Sequence, residues 1–289
     1  MNQKLIRLFS EDDIEMPGIL YTPENETNKI VLHVHGLNGN FYENKFLDEI
    51  SKVYTSNNYA FLTFNNRGKD YISELNKKDE QVIIGGCKER FKDCILDING
   101  AVNWAKNNGY EEIVLEGHSY GCNKVIYYYN KKKNSDISGI ILLAPCDIPS
   151  EVIKFLSEDE YINAKTNSEK FVKNNRPDEL IDFSIMANEK IAAATFYYDF
   201  LPGGENDFLR YRDGIRGKSK ELNNIDVPVI ILFGNSDECV LTEPLDVVRS
   251  YLLNNIKQCS IKIINEADHS FSNKYKELCK EINDSLKSF

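Results

Sequence analysis

The sequence predicts an α/β fold: a central, mostly parallel sheet flanked by helices, with a helical insertion above one edge. Three observations carry this. Short apolar runs alternate with longer segments of helical periodicity over most of the chain. The alternation stops at about Pro149 and resumes after Gly217. Between them in importance, the stretch "VLEGHSYGCNKVIYYYN" (114–130) sets Gly117, Ser119 and Gly121 at alternate positions where an apolar run gives way to a helical one.

Taken in order, a hairpin is expected around Lys4 to Leu8 and Gly18 to Tyr21. "KIVLHVHG" (29–36) is a buried strand with a glycine stop, and "FLDEISKVYTSNN" (46–58) has the helical spacing of Phe46, Leu47, Ile50 and Val53. "YAFLTFNNRG" (59–68) is the next strand. "FKDCILDINGAVNWAKNNG" (91–109) places Phe91, Ile95, Ile98, Val102 and Ala105 on one helical face and ends at glycine. "EEIVLEG" is a strand, "CNKVIYYYNKKK" a helix and "SGIILLAP" (138–145) a strand, a repetition that implies parallel strands with crossover helices. The stretch that follows is charged and helical, without a buried-strand run. Strand character returns in "VPVIILFG" (227–234) and "SIKIIN" (260–265), with a helix near Glu243 to Leu253 between them and a closing helix from about Asn273. The expected organisation is a core of residues 1–148 and 217–289 carrying a helical cap of residues 149–216.

The formal charge of −10 argues against a general affinity for nucleic acid or anionic lipid. The basic run Lys131-Lys132-Lys133 follows a helical pattern and reads as its solvated end. Seven scattered cysteines without a CxxC pair read as free thiols in a reducing compartment. The amino terminus has no apolar stretch of signal-peptide length and no segment approaches a membrane span, so the expected location is cytoplasmic, with no membrane partner. No His/Cys/Asp group has ligand spacing, so neither a metal nor another cofactor is expected.

A strand that turns into a helix through one residue leaves no space for side chains two positions to either side. Glycines at 117 and 121 relieve that crowding and hold the Ser119 oxygen out at the carboxyl end of the sheet, the arrangement of a nucleophile elbow. A serine needs a base, and the base an orienting carboxylate. Of the four histidines, His33 and His35 belong to an upstream strand and His118 points away from its neighbour; His269 in "NEADHSF" remains. Asp237, in the loop after "VIILFG", is the favoured acid, with Glu238 and Asp147 as alternatives. Backbone N–H groups of Tyr120 and of Leu37, in "HGLNGN" (35–40), are the expected oxyanion donors.

Together these residues resemble the α/β-hydrolase superfamily over nearly the whole chain, in the order Ser119, Asp237, His269. "GHSYGCNKVIYYYN" is also similar to the elbow and following helix of a family that includes fungal siderophore-ester hydrolases, and "FLPGGENDFLRYRD" (200–213) resembles the acidic turn of its late insertion. That resemblance implies a serine esterase with these three residues as triad, acting on hydroxamate-linked or other bulky esters. "FNNRGKD" departs from the superfamily pattern, with Asn65 where many hydrolases have aspartate.

Arg67 either holds a substrate carboxylate or forms an internal ion pair that fixes its loop, the second being favoured. Phe196, Tyr197, Tyr198 and Phe200 either line a substrate pocket, with Tyr197 and Tyr198 as candidate binding residues, or form the core of the insertion. At least two are core, because consecutive helical residues cannot all face one cavity. The expected chemistry is hydrolysis of a small-molecule carboxylic ester through an acyl-serine. Its rivals are acyl transfer, thioester or amide cleavage by the same triad, and, outside enzymology, a ligand receptor on a hydrolase scaffold.

Overall fold

In the computed structural model, residues 1–133, 136–183 and 190–289 are described. The chain runs β1 (Asn2–Phe9), β2 (Glu15–Thr22), β3 (Lys29–Val34), α1 (Phe46–Ser56), β4 (Ala60–Phe64), β5 (Glu74–Lys77), β6 (Glu80–Ile83), α2 (Cys94–Asn107), β7 (Glu112–His118), α3 (Tyr120–Lys132) and β8 (Ile137–Leu143). It continues through α4 (Ile148–Phe155), α5 (Glu158–Lys173), β9 (Leu180–Asp182), β10 (Lys190–Ala192), α6 (Ala193–Thr195), α7 (Lys220–Asn223), β11 (Val229–Gly234), α8 (Leu245–Asn255), β12 (Cys259–Ile264) and α9 (Tyr275–Ser285).

Eight strands form one sheet in the order β1-β2-β4-β3-β7-β8-β11-β12. The amino-terminal hairpin joins antiparallel and β3, β4, β7, β8, β11 and β12 run parallel. The central strands β4, β7 and β11 are buried along nearly their full length, as strands covered on both faces must be, whereas β1 is largely exposed. Helix α1 packs on α9 and α2 on α3, and these layers cover the sheet. Helix α2 reaches β1 so closely that a Cβ at Gly100 would lie 2.1 Å from the Phe9 carbonyl oxygen.

Two features were absent from the sequence expectation. Between β4 and α2 lies a small antiparallel hairpin, β5–β6. The stretch expected to be charged and helical contains an antiparallel pair of short strands, β9 and β10, and its segment Phe196–Phe200 is a single π-helical turn. The expected helical segment "NEKIAAATFYYDF" begins with Asn188 and Glu189, which lie outside the described residues. Among the described residues no helix is long and apolar enough to cross a membrane.

Candidate active site

Ser119 joins β7 to α3 with φ 56° and ψ −129°, a conformation that L-residues adopt only under tertiary constraint. The flanking glycines are what permit it. A Cβ on Gly117 would lie 2.5 Å from the Cys122 backbone nitrogen, and one on Gly121 would lie 2.0 Å from the Val34 carbonyl oxygen. Gly36 keeps the space in front of the serine, since its Cβ would lie 2.9 Å from Ser119 Cβ. Tyr120 is the first helical residue of α3, so its N–H has no acceptor within the helix.

The candidate acid and base follow neighbouring strands. Asp237 follows β11, His269 follows β12, and both Asp237 oxygens lie 3.0 Å from His269 Nδ1. The two loops are held together because Ser236 N donates to the Ala267 oxygen at 3.1 Å and Gly234 leaves space where a Cβ would strike that same atom. Asp237 Oδ1 also accepts from the backbone N–H groups of Cys239 at 3.0 Å and Val240 at 3.1 Å, which fixes the carboxylate. The alternative acids are placed elsewhere. Asp147 caps α4 through Ser150 and pairs with Arg212 at 2.8 Å, and Glu238 is exposed. Cys239 joins this corner: one ligand atom each of Asp237, Cys239 and His269 lies within 4.8 Å of the others, a cluster that sequence spacing did not reveal.

His118 links base to elbow. Its Nε2–H donates to the His269 carbonyl oxygen at 2.9 Å, so the residue before Ser119 anchors the loop that carries His269. Burial, with the neighbouring His269, drives the His118 ring well below the usual histidine range and keeps it neutral. Among the described residues, Asp237 and His269 are hydrogen-bonded but Ser119 Oγ and His269 are not; the hydroxyl has Cys146 Sγ 4.0 Å away. Contacts of this kind commonly tighten only when substrate is bound. Burial disfavours the His269 cation, yet the Asp237 hydrogen bond and charge, aided by Glu151 and Asp268, outweigh it and raise the ring above 6.5.

The loop after β3 is built around His35. Its Nδ1–H donates to the Gly36 oxygen at 2.9 Å and its Nε2 accepts from Asn66 N at 3.0 Å, a neutral tautomer consistent with burial lowering it to about 3. Asn65 Oδ1 accepts from Phe41 N at 3.0 Å, so the departure from aspartate retains a contact to this loop. Behind it, buried Lys124 of α3 pairs with Glu89 at 2.7 Å and reaches Asn66 Oδ1 at 3.2 Å.

A cavity is lined by Ser119, Leu37, Tyr120, Glu151, Phe183 and Phe200, so residues of the insertion and the expected oxyanion donors share its wall with the serine. Arg67, expected either to hold a substrate carboxylate or to form an internal ion pair, forms the ion pair. It is 5% exposed, with Nη2 2.8 Å from Asp97 and 2.7 Å from Asp12, and its guanidinium locks the loop after β4. Tyr197 and Tyr198 also lie off the cavity wall. Tyr198 is exposed with Arg90 stacked 4.6 Å over its ring, and Tyr197 packs edge-on against it. Phe196 and Phe200 are the buried pair of that turn, and Phe200 is the one that faces the cavity. Glu151 and Phe183 were missed. The acidic turn at 200–213 clamps the elbow helix: Tyr127 OH donates to Glu205 at 2.6 Å and Asn123 Nδ2 to Asn206 at 2.6 Å.

The chain is 25% identical over 193 residues to "Putative esterase/lipase 3" of Mycoplasma genitalium, a match to 63% of this chain and 65% of that protein. It therefore spans less than two thirds of the length of that curated relative. Est1E of Butyrivibrio proteoclasticus, solved with ferulic acid bound, superposes with a TM-score of 0.66 at 17% identity, covering 97% of this chain and 98% of that one. The alpha/beta hydrolase GrgF of Penicillium sp. sh18 does so with a TM-score of 0.69 at 13% identity, covering 99% and 97%. The fold is that of the α/β-hydrolase superfamily. Residues 88–289 match the family described as "Protein of unknown function (DUF1749)", and the chain belongs to that family.

Proposed function

We propose that this protein is a serine hydrolase that cleaves carboxylic esters. The observation that carries the reading is the strained elbow residue Ser119 facing the cavity, with the hydrogen-bonded Asp237–His269 pair tied to its neighbour through His118. His269 Nε2 takes the Ser119 hydroxyl proton as Oγ bonds to the ester carbonyl carbon. The N–H groups of Leu37 and Tyr120 receive the oxyanion. The C–O bond to the alkoxide then breaks, His269 returning its proton to that oxygen, and water repeats the sequence against the acyl-serine. Asp237 holds the tautomer throughout.

Residues 149–216 act as a cap that sets selectivity, because Glu151, Phe183 and Phe200 line the same cavity as Ser119 and Leu37. An acyl group enters between apolar surfaces there, which fits bulky or hydroxamate-linked esters. A fluorophosphonate probe with mass mapping of the modified residue tests the assignment: label on Ser119, abolished in folded Ser119→Ala together with a loss of ester turnover of about 10⁶-fold, is the expected result. Label elsewhere, or normal turnover by Ser119→Ala, refutes it. Product analysis with added alcohols separates hydrolysis from acyl transfer, free acid being the expected product.

A further inference from the structure

The cavity wall contains a carboxyl group that the hydrolytic steps do not use. Glu151 of α4 is 7% exposed, lines the cavity with Ser119, and its Oε1 is buried without a hydrogen-bond partner. The Cys146 thiol, a weak donor, is its side-chain neighbour. A buried acceptor left empty costs free energy that a partner would recover. Nearby carboxylates already have theirs: Asp237 has His269, and Asp147 has Arg212 and Ser150. Lys154 of the same helix and Lys190 of the cavity wall have partners of their own: Lys154 donates to the carbonyl oxygens of Glu238 and Leu241, and Lys190 pairs with Asp182 at 3.3 Å. The corner thus holds a third acid with no salt bridge among the described residues: the cationic group that acts on it, His269, is already paired with Asp237.

We propose that Glu151 selects the substrate, pairing with a protonated amine carried on the ester, so that the cavity favours ammonium-bearing esters over their neutral isosteres. The proposal rests on the hydrolase reading for its catalytic consequence, but the pairing itself is independent of turnover. Groups facing Glu151 are His269 after β12, Asp237 and Cys239 after β11, and Cys146 and Asp147 before α4. Burial pushes the Glu151 carboxyl up; His269 and Cys146 oppose this, Asp237 and Asp147 add to it, and it settles at about 7. The selectivity therefore depends on pH.

Ethyl 5-aminopentanoate and ethyl hexanoate test this, since they differ in a terminal ammonium against a methyl group. A hydrogen bond to a charged group corresponds to roughly 10- to 100-fold, so wild type at pH 8.5 should favour the amino ester in kcat/KM by about that factor. Glu151→Gln should bring the ratio to within about threefold of unity. In wild type the ratio should fall about tenfold between pH 8.5 and 6, as Glu151 protonates while the amine stays charged. The titration of His269 cancels in the ratio, and the pH series needs no variant that must fold. A wild-type ratio of unity or below, or one unmoved by both Glu151→Gln and pH, overturns the proposal. If neither ester is turned over, NMR titration with n-pentylammonium against 1-pentanol decides the pairing: stronger ammonium binding lost in Glu151→Gln supports it, equal affinities refute it.

Discussion

Replacing Asp237 by asparagine should disable the base without disturbing its position, and the structure gives the reason atom by atom. Oδ1 of Asp237 accepts from Cys239 N at 3.0 Å and Val240 N at 3.1 Å, so in the variant the amide oxygen must occupy that place. The amide nitrogen then falls where Oδ2 stands, 3.0 Å from His269 Nδ1, beside an amide oxygen that is equally near Nδ1 but already accepts from two backbone N–H groups. It donates its hydrogen to Nδ1, and the imidazole carries its own proton on Nε2. That tautomer cannot take the Ser119 proton. The loss in kcat should be on the order of 10⁴-fold, the size found when a triad histidine is held in the wrong tautomer, or about 5 kcal/mol of transition-state stabilisation. Turnover of p-nitrophenyl acetate measures it, with circular dichroism and the melting temperature as checks on the fold. A folded variant with kcat within about tenfold of wild type would refute the role given to Asp237.

The pH profile of kcat/KM should rise through a midpoint above 6.5, because His269 must be neutral to act and the hydrogen bond and charge of Asp237 stabilise its cation; a midpoint below 6 would contradict the pairing. The same raised value predicts that the Asp237–His269 contact adds stability fully below pH 6.5 and loses it as pH rises through the folded value, which melting temperatures across that range would follow. Lys124→Met leaves Glu89 buried without its cation and should cost about 3–5 kcal/mol in denaturant unfolding, with recovery in Lys124→Met/Glu89→Leu. Phe200→Ala should change the preference among acyl groups by about 1–3 kcal/mol in relative kcat/KM, whereas Tyr198→Ala, away from the cavity wall, should leave it within about twofold.

The parts of the fold that were legible in sequence are those whose environment is set by the sheet itself. Strands β3, β4, β7, β8 and β11 lie inside the sheet, so each carries a short buried run dominated by apolar residues and its type is evident. The hairpin β5–β6 carries exposed charge along most of its length, and β9 and β10 span three residues each. Neither leaves a buried run to detect, because their pairing is fixed by tertiary contacts such as the bridge from Ile14 to Lys77.

The site divides along the same line. Ser119 is marked locally, because the backbone conformation that exposes it also demands glycine at 117 and 121. Asp237 and His269 are marked by position, each in the loop after a buried strand. The substrate wall has no such local requirement. In "FYYDF", Phe196 and Phe200 stand four apart and share the inward face, which leaves Tyr197 and Tyr198 outside it; the aromatic cluster was visible, and its spacing favoured the phenylalanines. Helix α4 inverts the usual pattern, burying Glu151 while Ile153 is 50% exposed and Phe155 is 38% exposed. An acid turned inward beside apolar residues turned outward opposes the hydrophobic driving force for folding, so the contact that offsets this cost must lie outside ordinary core packing. For Glu151 that place is the cavity in front of Ser119, where a ligand can supply the missing partner.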